Sequence, residues 1–471
     1  MVFSSIPFLC FFFPVFLVLY YLFPKKAKNY ILLLFSLAFY AWGEPVYILL
    51  MLFASFVDYG NGLLMTKFGT KKSKRRIFLW ISVGINLSML GFFKYADFVV
   101  YTINQLSGLS LPAPGVGLPI GISFFTFQTM SYSIDLYRKE VKPEKNYLTY
   151  LTYVSMFPQL IAGPIVRFST VQQELHSRTI DREGFYNGGI RFLQGLFKKV
   201  LIANNMGAMW ELIRVLPLAE VSVATAWLGA LAFTLQLYFD FSAYSDMAIG
   251  MGHMLGFHYL ENFNYPLYAI SITDFWRRWH ISLSTWFRDY IYIPLGGNRA
   301  GVWKHLRNIA VVWFLTGLWH GAAWNFVLWG LYYGVLLALE KYVWGKYLTK
   351  LPVIFQHLYA IIIVVFGFTI FVFDDMAQLG NYIQLMVKTA DHFWVGNEFF
   401  YYLRSNGFLL GIALLLSMPV YPWLKGNLSK LKKPVARLVP KVSVMVYLFL
   451  FLLTIAYLVG DTYNPFLYFR F

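Results

Sequence analysis

Cysteine is nearly absent: Cys10 is the single one in 471 residues. That excludes a disulfide framework and a Cys-rich metal site. Charge is scarce too. Charged residues make up 13% of the chain, against about 25% in a soluble domain. No polar stretch is long enough to fold as a separate soluble domain, so one membrane-embedded domain over 1–471 is expected. Several catalytic signatures are also missing. No His-x-x-x-His or His-Glu pair occurs, and His253 and His258 stand five apart, the wrong spacing for one helix face, so no metal site is expected. There is no GxSxG elbow. The turn Ile293-Pro294-Leu295-Gly296-Gly297-Asn298-Arg299 is not a Walker motif, because no Gly-Lys-Ser/Thr follows it.

What the chain has is apolar length. Hydrophobic residues make up 59% of it and aromatics 20%, and runs of membrane-spanning length recur from end to end. The expected fold is all-α, a polytopic helical membrane protein of roughly 11–13 transmembrane or re-entrant helices. The first run, Ile6 to Phe23, has no basic segment before it and Pro24-Lys25-Lys26-Ala27-Lys28 after it, so it reads as a retained span rather than a cleaved signal peptide. Two runs, Val221 to Met254 and Ile309 to Tyr342, exceed the ~20 residues of one crossing, and each is expected to make two helices or one bent one. The net charge of +17 does not point to nucleic acid, because the basic residues fall in short loops between apolar runs. Lys25, Lys26 and Lys28 lie in one loop and Lys67, Lys71, Lys72, Lys74, Arg75 and Arg76 in another, while the intervening Gly43-Glu44-Pro45 has no basic residue. Both basic loops are thereby placed in the cytoplasm. Arg138, Lys139, Lys142 and Lys145 mark a third such loop, and Lys425 to Lys441, with Lys430, Lys432 and Lys433, a further one. The last span then leaves 461–471 as an aromatic tail on the far side.

Polar residues at membrane depth are costly and tend to mark pathways or reactive groups. Gln236, Asp240 and Tyr244 are four apart and stack on one helix face. They either glue helices together as a polar seam or line a working cavity. Residues 271–293 begin with Ser271 and Asp274 as a capping box and end at Pro294. Trp276, Leu283, Phe287 and Tyr290 form an apolar stripe that includes His280, with Arg277, Arg278 and Arg288 carrying the charge, so an amphipathic helix at the cytoplasmic face is expected. His280 by itself is equally read as an interfacial ring bonded to a neighbour. His320 sits in Leu318-Trp319-His320-Gly321, between apolar flanks, and imidazole is the side chain best suited to moving a proton near neutral pH. Trp313, Thr316, Gly317, His320 and Trp324 share a face by helical spacing, and Gly317 and Gly321 would let another backbone come close. The Gly296-Gly297 turn with Arg299 is either a plain interfacial turn or a phosphate cradle. Gln159-Leu160-Ile161-Ala162-Gly163-Pro164 suggests a broken or re-entrant helix.

The string from Trp276 to Arg299 resembles the signature of bacterial membrane-bound O-acyltransferases, the MBOAT family, in its alginate O-acetyltransferase branch. Leu318-Trp319-His320-Gly321, Tyr238 to Asp246, Glu261-Asn262-Phe263-Asn264-Tyr265-Pro266 and the Gln159 to Pro164 segment fit the same branch. The D-alanyl transferase of teichoic acid synthesis is a more distant relative. The resemblance implies helices around a central tunnel or funnel in a multi-pass protein of the bacterial inner membrane. It implies a thioester donor, acetyl-CoA or an acyl-carrier thioester, as substrate rather than a tightly bound cofactor. The acyl group would leave on the outer side for a polysaccharide, with an SGNH-type acetyltransferase or a similar subunit as partner. The family's invariant histidine corresponds to His320, and its second motif residue to His280. Trp276, Trp279, Trp319, Trp324, Asp240 and Tyr244 would support or line the tunnel. Arg277, Arg278 and Arg299 could engage donor phosphates. The end of the chain, Asn464 to Phe471, resembles a motif of a small partner in teichoic acid D-alanylation, which makes Tyr468 a candidate acyl relay; an interfacial anchor is the alternative. Competing readings are a transporter or flippase, which would show internal repeats that are not evident here, and a structural subunit of an export complex.

Overall fold

Among the described residues, six helices are long and apolar enough to cross a membrane: Ile48–Lys67, Lys72–Ser107, Trp324–Leu348, Val353–Val372, Asn397–Leu416 and Val439–Gly460. The computed structural model describes residues 2–299, 301–387, 393–428, 433–460 and 463–467, and among these it is helical with no strand. Lys430, Lys432 and Tyr468 lie outside the described residues. Further apolar runs also form helices but fall short in length or hydropathy. Phe13–Leu22 and Lys28–Gly43 are short, and Ile122–Arg138 is rich in Ser, Thr and Gln. The last can be polar because nearly all of its residues are buried within the protein, where hydrogen-bond partners replace water.

The chain falls into two compact units, Met1–Phe192 with Tyr244–Glu261, and Leu193–Ala243 with Asn262–Phe471. The run expected to be two helices or one bent one at 221–254 is one continuous helix, Val223–Leu255, which contributes residues to both. Its 33 residues extend about 50 Å at 1.5 Å per residue, well beyond the hydrocarbon thickness.

In the first unit the helices Ile48–Lys67, Lys72–Leu90 and Ile122–Arg138 pack around a buried polar knot. The Asp58 carboxylate accepts from Ser82, from Asn86 at 2.7 Å and from Ser133 at 3.2 Å. The Gln159 region is broken, as the sequence suggested. Tyr147–Ser155 ends at Met156, a single turn Phe157–Leu160 follows, and the Gln128 amide donates to Gln159.

In the second unit the long run 309–342 resolves into the hairpin of Val302–His320 and Trp324–Leu339. The first helix stops because Gly321 is extended (φ −170°, ψ 163°), and a Cβ there would overlap the Phe326 ring. The arms touch through glycine. A Cβ on Gly317 would lie 2.3 Å from the Phe326 carbonyl, and one on Gly330 2.3 Å from the Trp313 carbonyl. Gly317→Ala is therefore expected to force the arms apart at a cost of about 1–3 kcal/mol or more. A melting temperature equal to wild type in detergent would contradict so tight a hairpin. Val353–Val372 packs on the second arm, where Asn325 donates to the Phe371 carbonyl at 2.9 Å and Tyr332 to Ile363 at 3.0 Å.

Candidate active site

Residues 271–293 do not form the single helix expected from their pattern. They form Ile272–Arg278 and Ile281–Phe287, separated by Trp279 and His280, with a wide turn at Arg288–Tyr292. His280 itself makes the break, with φ 45° and ψ 55°. A left-handed backbone costs a non-glycine residue roughly 1–2 kcal/mol, so its surroundings must hold it there. Asn262 does so. Its backbone carbonyl accepts from Ile281 N at 3.0 Å, and its side-chain oxygen accepts from Ser282 N at 3.2 Å and Ser282 Oγ at 2.9 Å. The same oxygen lies 3.1 Å from His280 Nδ1. An oxygen that accepts a backbone N–H is a fixed acceptor, so Nδ1 carries the proton and donates. That tautomer leaves the lone pair on Nε2. His280 is 1% exposed and lies outside the six spans, and burial pushes its imidazole below the ordinary value, to about 3. It is neutral at physiological pH.

The helix Ile272–Arg278 is held at its start by two side chains. Ser271 accepts from Asp274 N at 3.0 Å, and Asp274 reaches back to Ile270 N at 3.2 Å, so the predicted cap is present with its return bond shifted by one residue. The buried Glu340 carboxylate accepts from Ile272 N at 2.8 Å and Thr273 N at 2.9 Å. A carboxylate suits a helix N-terminus, where unsatisfied N–H groups and the dipole both favour negative charge. Sequence reasoning gave Glu340 no role, because its partners lie 67 and 68 positions away.

His320 is the last residue of Val302–His320 and is 3% exposed. Its ring meets three aromatic neighbours nearly edge to face: Trp329 at 4.9 Å, Trp319 at 5.0 Å and Phe371 at 5.3 Å. Trp319 also lies 5.6 Å from His280, so one indole stands against both imidazoles. The aromatic packing continues through Trp329, Tyr333, Trp313 and Trp276, with Trp276 and Trp313 only 4.6 Å apart. Edge-to-face contacts at these separations are a favoured aromatic geometry.

A cavity of about 220 Å³ has both His280 and His320 in its wall. Trp276, Trp313 and Thr316 line its interior, and the exposed Arg277 and Arg288 also belong to its wall. It is smaller than the ~300–1,000 Å³ of drug-sized pockets. The Trp276 indole N–H is buried in this wall and has no acceptor among the described residues, which leaves it a donor for a substrate oxygen. Among the described residues no group of three or more His, Cys, Asp or Glu could hold a metal ion.

Other candidates from the sequence fall elsewhere. Trp279 is packed among Phe263, Phe275 and Phe368. Trp324 begins the second arm, beyond the break at Gly321, so it does not continue the face of His320; it is 45% exposed. Arg278 is bonded to Asp274 at 2.9 Å, and the exposed Arg299 is not in the cavity wall. The Gly296-Gly297 turn is held by the Gly297 carbonyl, which accepts from Asn308, and by the preceding Leu295 carbonyl, which accepts from Arg307 and Asn308, and the glycines supply its positive φ angles. Tyr244 belongs to the first unit, stacked on Phe3 at 4.4 Å. Asp240 pairs with Lys199 at 2.8 Å, both side chains at most 5% exposed, and accepts from Leu467 N at 2.9 Å. Lys199 also donates to the Pro465 carbonyl, and Asn204 donates to Asn464 at 3.3 Å. The polar seam at Asp240 thus anchors the segment 463–467.

The profile of MBOAT, the membrane-bound O-acyltransferase family, matches residues 42–375. A probable alginate O-acetylase of Azotobacter vinelandii is 43% identical over 375 residues, 79% of this chain and 75% of the relative. A peptidoglycan O-acetyltransferase of Helicobacter pylori is 36% identical over 70% of this chain and 68% of its own length. A teichoic acid D-alanyltransferase of Bacillus subtilis is 27% identical over 50% of this chain and 62% of its own. The matched span contains both histidines, the cavity they line and the hairpin that places His320, so the chain is a multi-pass membrane enzyme, an acyltransferase belonging to the MBOAT family.

Proposed function

We propose that this enzyme moves an acetyl or other short acyl group from a cytoplasmic thioester donor across the bacterial inner membrane, for O-acylation of an extracytoplasmic polysaccharide. The observation that carries this reading is that the buried His280 and His320 line one cavity whose wall also holds the exposed Arg277 and Arg288. Acetyl-CoA or an acyl-carrier thioester is the donor, and Arg277 and Arg288 engage its phosphates. His320 is the general base. It takes the proton of an acceptor hydroxyl as that oxygen attacks the thioester carbonyl; the C–O bond forms, the C–S bond breaks, and the thiolate leaves with the proton returned to it. His280, fixed by Asn262, keeps Nε2 unprotonated at the wall of the cavity. The hydroxyl belongs to the polysaccharide, to a serine of an SGNH-type partner, or to Tyr468. The names of the relatives support an O-acetyl or D-alanyl group as cargo. A deletion strain tests the reading. It is expected to export its surface polysaccharide in normal amount but without base-labile acyl esters, with the esters restored by the wild-type chain. Loss of the polysaccharide itself would favour a transporter instead.

A further inference from the structure

The first unit contains a second cavity, about 280 Å³ in volume, that the acyl-transfer chemistry does not use. Lys25, Lys26, Lys28, Asn29, His176 and Arg178 are in its wall, and no carboxylate is. Four fixed positive charges therefore face one small space. Their bonding does not neutralise them. Lys28 is buried, and its ammonium donates to the Tyr20 carbonyl at 2.5 Å and lies over the Tyr20 and Tyr21 rings at 4.5 and 5.0 Å. Arg178 donates to Tyr20 Oη at 2.8 Å, to the Leu255 carbonyl at 3.0 Å, to Asn29 Oδ1 at 2.7 Å and to the Glu174 carbonyl at 3.1 Å, and stacks on Phe257. Every one of these acceptors is neutral. Lys28 is held below the ordinary lysine value by burial first and then by Arg178 and Lys25, as expected for a cation with cations for neighbours and no counter-ion. Among the described residues, the acidic side chains in this region have other partners: Glu144 lies 2.8 Å from His176, Glu174 lies 2.6 Å from His258, and Asp181 accepts from Gly184 N at 2.6 Å.

A buried cation is normally paired. The first turn of the helix Lys28–Gly43 opens on the same space, with Asn29 and Tyr30 in the wall. Its N–H groups add a further preference for an anion. We infer that this cavity is a binding site for a phosphate-bearing anion, either the headgroup of an anionic phospholipid or the phosphates of a soluble nucleotide. The exposed Lys25 and Lys26 and the buried Lys28 supply point charges, and the Arg178 guanidinium is held in the wall by neutral oxygens.

Native mass spectrometry of the full-length detergent-solubilised protein tests this with two probes, phosphatidylglycerol and adenosine 3′,5′-bisphosphate, against phosphatidylcholine as control. One molecule of phosphatidylglycerol or of the bisphosphate per chain is expected, and whichever is retained identifies the source. The triple variant Lys25→Gln/Lys26→Gln/Lys28→Gln is expected to weaken that binding at least tenfold. Because Lys28 is buried, the double variant Lys25→Gln/Lys26→Gln, confined to exposed positions, serves as the folded control and is expected to weaken it in the same direction. Failure of both probes to bind one-to-one, or wild-type binding by both variants, would overturn the inference.

Discussion

Cells in which His320 is replaced by alanine are expected to lose surface acyl esters while keeping wild-type amounts of the protein in their membranes. General-base assistance is typically worth ~10²–10⁴-fold in rate, so residual transfer should fall to the per cent level or below. The argument rests on placement. His320 ends its helix at an extended glycine, lies 3% exposed among Trp319, Trp329 and Phe371, and lines the cavity that also holds His280. A ring packed this tightly also supports its neighbours, so truncation to alanine leaves a void with a stability cost of its own. His320→Gln separates the two effects. Glutamine fills most of the volume and keeps a polar tip but cannot take a proton at neutral pH. Loss of transfer in both variants, with near-normal melting of the glutamine variant, is the expected pattern. Ester levels close to wild type with glutamine would remove His320 from the chemistry.

The second large effect concerns stability. Lys199 and Asp240 form a pair 2.8 Å apart with side chains 5% and 2% exposed. Removing one partner of such a pair leaves an uncompensated buried charge, at a cost of about 3–5 kcal/mol. Lys199→Met should therefore lower the melting temperature strongly. Lys199→Met/Asp240→Leu should recover most of the loss, since replacing both partners by apolar groups of similar size is often close to neutral. The pair has a further load. Lys199 donates to the Pro465 carbonyl, and Asp240 accepts from Leu467 N. Both variants should consequently release the segment 463–467 to added protease faster than wild type does, even where the double variant melts normally. A double variant no more stable than the single one would show that the contacts to 463–467, rather than the charge balance, dominate.

Much of this architecture can be read from the residues alone, and what cannot has a common physical cause. Apolar length identifies the helices, and the excess length of 309–342 announces the hairpin that ends one arm at His320. The pattern at 271–293 foretells a buried apolar stripe, and Trp276, Leu283, Phe287 and Tyr290 are buried as it requires. Periodicity assumes regular helix, so it misses the break at His280. That break is imposed by Asn262, 18 positions away, whose carbonyl and amide oxygens replace helical partners. The same limit hides Glu340, which caps a helix from a distant segment, and moves Trp324 off the face assigned to it. Spacing placed Asp240 and Tyr244 on one helix face, yet Asp240 is drawn to Lys199 and Tyr244 to Phe3, because local spacing carries no information about which neighbour a face meets. Arg277 and Arg288 reach the cavity wall, Arg288 while paired with Asp289 at 2.7 Å, and Arg278 is bonded on its own helix to Asp274 at 2.9 Å.

The most direct test of the account uses purified protein in sealed proteoliposomes, with a labelled acetyl thioester confined to one side and a polysaccharide acceptor on the other. Wild-type protein is predicted to deliver label to the acceptor as an ester at a rate proportional to the protein present, and His320→Gln to deliver essentially none while binding the donor normally. Equal delivery by the two proteins would contradict the assignment of His320 as the base at the centre of the cavity.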